Sequence, residues 1–175
     1  MTIKTKIRTI PDWPKQGIMF RDITTLLKDP EGFRETIDIL AKRYKDVEFD
    51  VICGIEARGF ILGAALAYKL EKGFIPIRKK GKLPGETYSQ DYQLEYGIDT
   101  IEVHKDALSS GQSVLLVDDL LATGGTVLGA HQLIKKSGAT IKEACFIVDL
   151  PDLKGSEKLR ENNIPFYSLV EFEGE

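Results

Sequence analysis

The sequence predicts an α/β fold: a mostly parallel central sheet flanked by helices on both faces. Three observations lead there. Short continuous apolar runs alternate with stretches of helical spacing along most of the chain. Those runs lack the in–out alternation of a half-solvated sheet, so they read as strands covered on both sides. No Pro/Gly/Ser linker, repeat or low-complexity segment divides the 175 residues, which fits a single domain with a sizeable core.

Glu31 to Lys45 carries Phe33, Ile37, Leu40, Ala41 and Tyr44 at helical spacing. Phe49 to Ile55 is a short apolar run and reads as a strand. Gly59 to Leu70 reads as a helix packed through small residues. Phe74 to Ile77 is a second strand, and Ser113 to Val117 a third and the clearest. Gly125 to Lys136 is a helix stopped by Ser137-Gly138. Ile141 to Val148 is a fourth strand, Leu153 to Asn162 a short helix, and Pro165 to Val170 a last strand. The exception is Lys79 to Tyr96, too polar for core and too long for a simple turn, which suggests a lid or binding loop. Within it, Thr87 to Leu94 can pair as a hairpin with Ile98 to Val103.

Composition removes several classes of function. The chain is 42% hydrophobic and 29% charged with a net charge of -3, so no global field draws nucleic acid or an acidic membrane. The one dense basic patch is Arg78, Lys79, Lys80 and Lys82. No apolar run reaches membrane-spanning length, and Met1 to Arg8 lacks a signal peptide's apolar stretch. The expected location is therefore cytoplasmic. Cys53 and Cys145 sit in apolar runs and read as small buried residues, not as a zinc or disulfide framework. His104 and His131 have no partner at metal-ligand spacing.

The chemistry concentrates where the clearest strand ends. Val117 runs into Asp118-Asp119, then Leu120-Leu121-Ala122-Thr123-Gly124-Gly125-Thr126 and a helix. Gly124 and Gly125 let backbone N–H groups converge on an anion, and the helix turns its positive end toward the same point. Thr123 and Thr126 add hydroxyl donors. No lysine follows the glycines, which disfavours nucleoside triphosphate hydrolysis. Adjacent carboxylates repel phosphate but suit vicinal hydroxyls or a magnesium ion. A ligand with a monophosphate beside a ribose diol satisfies both halves of the motif.

This string resembles the phosphoribosyl pyrophosphate (PRPP) motif of the type I phosphoribosyltransferases. The resemblance implies that Asp118 and Asp119 hold the ribose hydroxyls and that Ala122, Thr123, Gly124, Gly125 and Thr126 hold the 5-phosphate. Four further segments are similar to the adenine-using members. Pro14-Lys15-Gln16-Gly17-Ile18-Met19-Phe20-Arg21-Asp22-Ile23 resembles their base-binding hood. Gly54-Ile55-Glu56-Ala57-Arg58-Gly59-Phe60 resembles their pyrophosphate loop. Arg78 to Gly85 resembles the start of their mobile loop, and Leu94-Glu95-Tyr96-Gly97 the element with their catalytic carboxylate. The matches span roughly Pro14 to Leu150.

The resemblance implies a hood over about 1–30, a core over about 31–175 and a mobile loop over about 80–92. It implies synthesis of AMP and pyrophosphate from adenine and PRPP by displacement at the anomeric carbon, with Mg2+ held mainly through substrate and a contact from Asp118 or Asp119 left open. Phe20 is expected to stack on the base, with backbone groups of Met19 and Arg21 on its edge and Leu150 and Tyr96 among the binding residues. Arg58 is expected at the pyrophosphate as a planar fork of donors, assisted by Lys79 and Lys82. Glu95 is the expected proton-transfer or polarising group. Enzymes for 6-oxopurines typically carry an aspartate where this chain has Ala122, which points to adenine over hypoxanthine or guanine. A homodimer is also implied. The rivals are a phosphoribosyltransferase for another purine and a non-catalytic PRPP sensor; the chain leaves no space for an added DNA-binding domain.

Overall fold

The structure is a computed structural model that describes residues 2–94 and 97–174. Its centre is an 8-stranded sheet whose main path runs β10-β9-β7-β3-β4-β6-β5. The strands are β3 (Val51–Ile55), β4 (Gly73–Lys79), β5 (Thr87–Gln93), β6 (Ile98–His104), β7 (Ser113–Val117), β8 (Leu120–Leu121), β9 (Thr140–Asp149) and β10 (Phe166–Glu171). β4, β3, β7, β9 and β10 run parallel, and β8 adds a short parallel pairing to β9. The β5–β6 hairpin joins antiparallel at the β4 edge. A separate two-stranded sheet, β1 (Arg8–Pro11) with β2 (Met19–Asp22), lies within the segment expected as the hood, and is called the hood.

Helices cover both faces as expected. On one side lie α1 (Thr2–Thr5), α2 (Thr24–Lys28), α3 (Pro30–Tyr44) and α4 (Arg58–Leu70); on the other lie α5 (Gly125–Lys136) and α6 (Gly155–Glu161). The period-2 geometry of the strands shares their side chains between the two cores. On β7, Leu115 and Val117 enter the α3/α4 core while Val114 and Leu116 enter the α5 core. Cys145 and Ile147 of β9 face the first, and Ala144 and Phe146 the second. Both cysteines are free and buried, as expected.

α3 starts one residue before the expected boundary because Asp29 caps it. The Asp29 carboxylate accepts from Glu31 N and Gly32 N, both at 2.9 Å, and Pro30 occupies the first turn where no N–H is needed.

Within the segment expected as a mobile loop, 80–92, the expected pairing of Thr87 to Leu94 with Ile98 to Val103 is present. Residues 87–92 are strand, paired in register with β6 from Thr87↔His104 to Tyr92↔Asp99. Tyr92 is buried rather than too polar for core, because its ring and Cβ seat against Gly129 of α5. Irregular chain is confined to 80–86, an exposed turn with Gly81 and Gly85 at positive φ.

Candidate active site

Among the parallel strands the chain winds one way from β3 to β4 and the other way from β7 through β9 to β10. The direction reverses between β3 and β7, and the crevice beyond the carboxyl ends at such a reversal is where open α/β sheets bind ligands. Here β3 ends in Glu56-Ala57-Arg58 and β7 ends in Asp118-Asp119. Two stretches far apart in the chain thus meet at one point.

The meeting is an ion pair. Arg58 Nε donates to Asp119 Oδ2 at 2.5 Å, with Asp119 nearly fully buried and Arg58 half-exposed. Among the described residues, the other guanidinium nitrogens of Arg58 have no hydrogen-bond partner. The backbone of the acid pair is held by β9: Asp118 N donates to Cys145 O, and Asp119 O accepts from Ile147 N and Val148 N, all at 3.0 Å. Asp119 N also donates to Asp118 Oδ1 at 2.9 Å. Burial, then the neighbouring Asp119 carboxylate, pushes the Asp118 carboxyl well above its usual range; the Asp119 N–H and Arg58 oppose the shift.

Past the acid pair, Leu120–Leu121 form β8 against Val148 and Asp149, and the chain then turns tightly into α5. Gly124 makes that turn at φ +79°, a left-handed backbone that a side chain would strain. No side chain caps α5. Among the described residues, no acceptor takes the N–H groups of Thr123, Gly124, Gly125, Thr126 or Val127. These amides line a small concavity of about 70 Å³ with Asp118 at its rim. Unpaired donors at a positive helix end make an anion cradle.

Beside the cradle lies a pocket of about 280 Å³, with hood residues Ile18, Met19, Phe20 and Arg21 on one wall. The other wall carries Arg58, Leu120, Ala122, Leu150 and Leu153. Phe20 is half-buried, and Trp13 meets its ring edge-on at 4.5 Å between centroids. Pro11 stands opposite Met19 in the hairpin and has no N–H, so the Met19 carbonyl takes no hydrogen bond from β1. The hood is anchored by buried Asp22, which accepts from the Arg8 guanidinium, from Thr24 N at 2.9 Å and from Thr24 Oγ1 at 2.8 Å. Burial alone raises the Asp22 carboxyl, but Arg8 and Thr24 together hold it below its usual range.

The structure therefore gathers Met19, Phe20, Arg21, Arg58, Asp118, Asp119, Ala122, Thr123, Gly124, Gly125, Thr126 and Leu150 along one edge of the sheet. Lys79 stands apart: its backbone N–H donates to Glu56 and its ammonium pairs with Asp99 at 3.2 Å. Lys82 is exposed in the 80–86 turn, with its carbonyl held by Arg78. Glu95 and Tyr96 lie outside the described residues. Sequence reasoning missed Ile18, Leu120 and Leu153 as pocket walls. Leu120 and Ile18 stood inside the quoted motifs, but nothing in their apolar character separates a pocket wall from core. Among the described residues no cluster of three or more His, Cys, Asp or Glu could hold a metal ion.

A parallel sheet with an acid pair, an anion cradle and an apolar slot at its point of reversal defines a nucleotide-type transferase site. Residues 22–173 match the family model described as phosphoribosyl transferase domain. Within that class the chain belongs to the adenine phosphoribosyltransferase family. It is 62% identical to the adenine phosphoribosyltransferase of Pelodictyon phaeoclathratiforme over all of both chains. It is 60% identical to that of Chlorobium limicola, again over the whole of each. Among solved structures, the adenine phosphoribosyltransferase of Thermoanaerobacter pseudethanolicus superposes with a TM-score of 0.93 at 49% identity, covering 98% of both chains. The Saccharomyces cerevisiae protein, complexed with adenine and D-2,5-dideoxy-2,5-imino-altritol 1,6-bisphosphate, does so at 0.89 and 38%, covering 97% of both. The expected fold class stands.

Proposed function

We propose that this chain makes AMP and pyrophosphate from adenine and PRPP by displacement at the ribose anomeric carbon. One observation carries the reading. A carboxylate pair suited to a diol, an amide cradle suited to a phosphate and an apolar slot suited to a flat base adjoin one another.

Asp118 and Asp119 accept from the ribose hydroxyls, and residues 122–126 donate to the 5-phosphate. Fixing the sugar in this way lowers the entropy cost of reaction. The transition state resembles an oxocarbenium ion, as in other glycosyl transfers. Arg58 spends Nε on Asp119 and offers its remaining donors to the departing pyrophosphate, so one side chain couples the grip on the sugar to stabilisation of the leaving group. Lys82 adds charge from the 80–86 turn. Lys79 does so only by giving up or sharing Asp99.

Phe20 stacks on adenine, braced by Trp13. The free Met19 carbonyl and the outer edge of β2 at Arg21 read its polar edge. Ala122 and Leu150 complete the slot, and the absence of an acid at Ala122 favours adenine over 6-oxopurines. Glu95 exchanges a proton with the base or polarises it, and Tyr96 joins the binding residues. The 80–86 turn and the hairpin behind it close over the site and exclude water, which would otherwise hydrolyse the activated sugar.

The adjacent carboxylates of Asp118 and Asp119 fit at most a contact to Mg2+ carried on substrate oxygens and water, as suits a hard ion that keeps its hydration. When bound, the ion supplies neutralisation of pyrophosphate charge. A homodimer fits the exposed apolar stripe of α4, where Ile61 and Tyr68 face outward. No helix among the described residues is long and apolar enough to cross a membrane, which accords with a cytoplasmic location.

The test is pyrophosphate release from PRPP with adenine, hypoxanthine and guanine in parallel. Release with adenine alone is expected. Equal release with hypoxanthine or guanine would overturn the base assignment, and no release with any base would overturn the reaction.

A further inference from the structure

The walls of the base pocket come from separate structural units. Met19, Phe20 and Arg21 belong to the β1–β2 hood, while Leu120, Ala122, Leu150 and Leu153 belong to the core. The hood is its own sheet, with no strand pairing to the main one. An isolated two-stranded hairpin is marginal in water. Something other than backbone ladders must therefore set the spacing between the walls.

The segment that leaves β10 touches both. Phe172 N donates to Asp149 O at 3.0 Å, which carries the chain past the sheet edge toward the hood. There the Phe172 ring lies 4.5 Å from the Arg21 guanidinium carbon and 4.8 Å from the Lys4 ammonium, both within cation–π range. Arg21 Nη2 donates to the Glu173 carbonyl at 3.2 Å, and Nη1 donates back across the hood to Thr9 Oγ1 at 2.5 Å. Arg21 Nε is buried with no hydrogen-bond partner among the described residues, so these contacts orient the guanidinium. One residue on, Gly174 N donates to Asp152 Oδ2 at 2.6 Å. Asp152 sits in the 3-10 turn Pro151–Leu153, between the pocket residues Leu150 and Leu153.

We infer that residues 172–174 are a strap that sets the width of the base pocket, which makes Phe172 and Asp152 positioning residues for base recognition. The inference rests on the reading that this pocket takes adenine. Neither residue lines the pocket; both act through neighbours that do. Phe172 holds Arg21, and with it the register of β2 over the slot. Asp152 holds the opposite wall to the same short segment. The strap touches neither the acid pair nor the amide cradle, so its loss should be felt by the base and not by PRPP.

The experiment compares Phe172→Ala, Phe172→Tyr and Asp152→Ala with the unaltered protein in steady-state kinetics and amide hydrogen exchange. Loss of the ring should raise KM for adenine roughly fivefold, the effect of one cation–π contact, with KM for PRPP unchanged. Phe172→Tyr should restore the unaltered value, and Asp152→Ala should shift the same constant in the same direction. Amides of Met19–Asp22 should exchange faster in Phe172→Ala. An unchanged KM for adenine would overturn the strap, as would a parallel rise in both KM values that tyrosine does not rescue. If the unaltered protein fails to convert adenine at all, the functional reading falls on its own. Exchange at β2 then decides the strap: faster in Phe172→Ala supports it, and unchanged removes it.

Discussion

Replacing Gly155 with alanine is expected to harm phosphate binding more than folding. Gly155 opens α6 and packs against the outer side of the turn that runs from Ala122 to Gly124. A methyl group there runs into the Ala122 carbonyl oxygen and lies 3.0 Å from both the Ala122 carbonyl carbon and Gly124 N. All three are backbone atoms, so no side chain can rotate aside. Carbon contacts are comfortable from about 3.5 Å, so the turn or α6 must move by roughly an ångström in a close-packed setting. Alanine in a helix gains at most about 1 kcal/mol over glycine. Overpacking costs about 1–3 kcal/mol, and a clash with backbone belongs at the upper end. The net loss is about 1–2 kcal/mol, or a Tm lower by roughly 2–8 °C for a chain of this size. The catalytic effect is larger, because an ångström of misplacement in a positioning element can cost up to about 100-fold. With PRPP as the varied substrate, kcat/KM should fall by roughly ten- to a hundredfold. Steady-state kinetics alongside thermal denaturation reads both. A folded Gly155→Ala protein with undiminished kcat/KM for PRPP would refute the buttressing of the cradle by α6.

The remaining predictions concern the charged groups. Burial and Asp119 raise the Asp118 carboxyl in the folded state, so from the ordinary carboxylate range upward the unfolded chain loses its proton first and stability falls as pH rises. Asp118→Asn should therefore raise Tm at pH 7, with the gain vanishing near pH 4; a gain independent of pH would contradict the assignment. Arg58→Ala leaves Asp119 buried without its cation. Because Arg58 is half-exposed, the stability loss should be nearer about 1 kcal/mol than the 3–5 of a fully buried pair, and adding Asp119→Asn should recover stability but not activity. Glu95→Gln should reduce kcat more than it raises either KM; unchanged turnover would remove Glu95 from the mechanism.

Much of the site was legible because its chemistry is local in the chain. Val117 to Thr126 holds strand end, acid pair, glycine turn and helix start in one run, and the structure keeps them together. Gly125–Lys136 was expected to the residue, since glycine opens it and Ser137-Gly138 closes it. The hairpin arm Thr87 to Leu94 was legible although β5 is polar, with Ser89, Gln90, Asp91 and Gln93 on an edge strand; the burial of Tyr92 was not. Edge strands need no apolar face on the solvent side, and the burial of Tyr92 comes from α5, which is far along the chain.

The sequence by itself determined the order of most core strands and helices from residue 31 onward, the acid pair, the cradle and the aromatic at position 20, because each depends on residues within a few positions of one another. Tertiary structure alone decided that Arg58 would close on Asp119, that Lys79 would be taken by Asp99, and that residues 172–174 would bind the hood to the core. These are contacts between side chains and backbone brought together by the sheet's reversal and its far edge. No periodicity or local spacing encodes such distances; only the packed chain does.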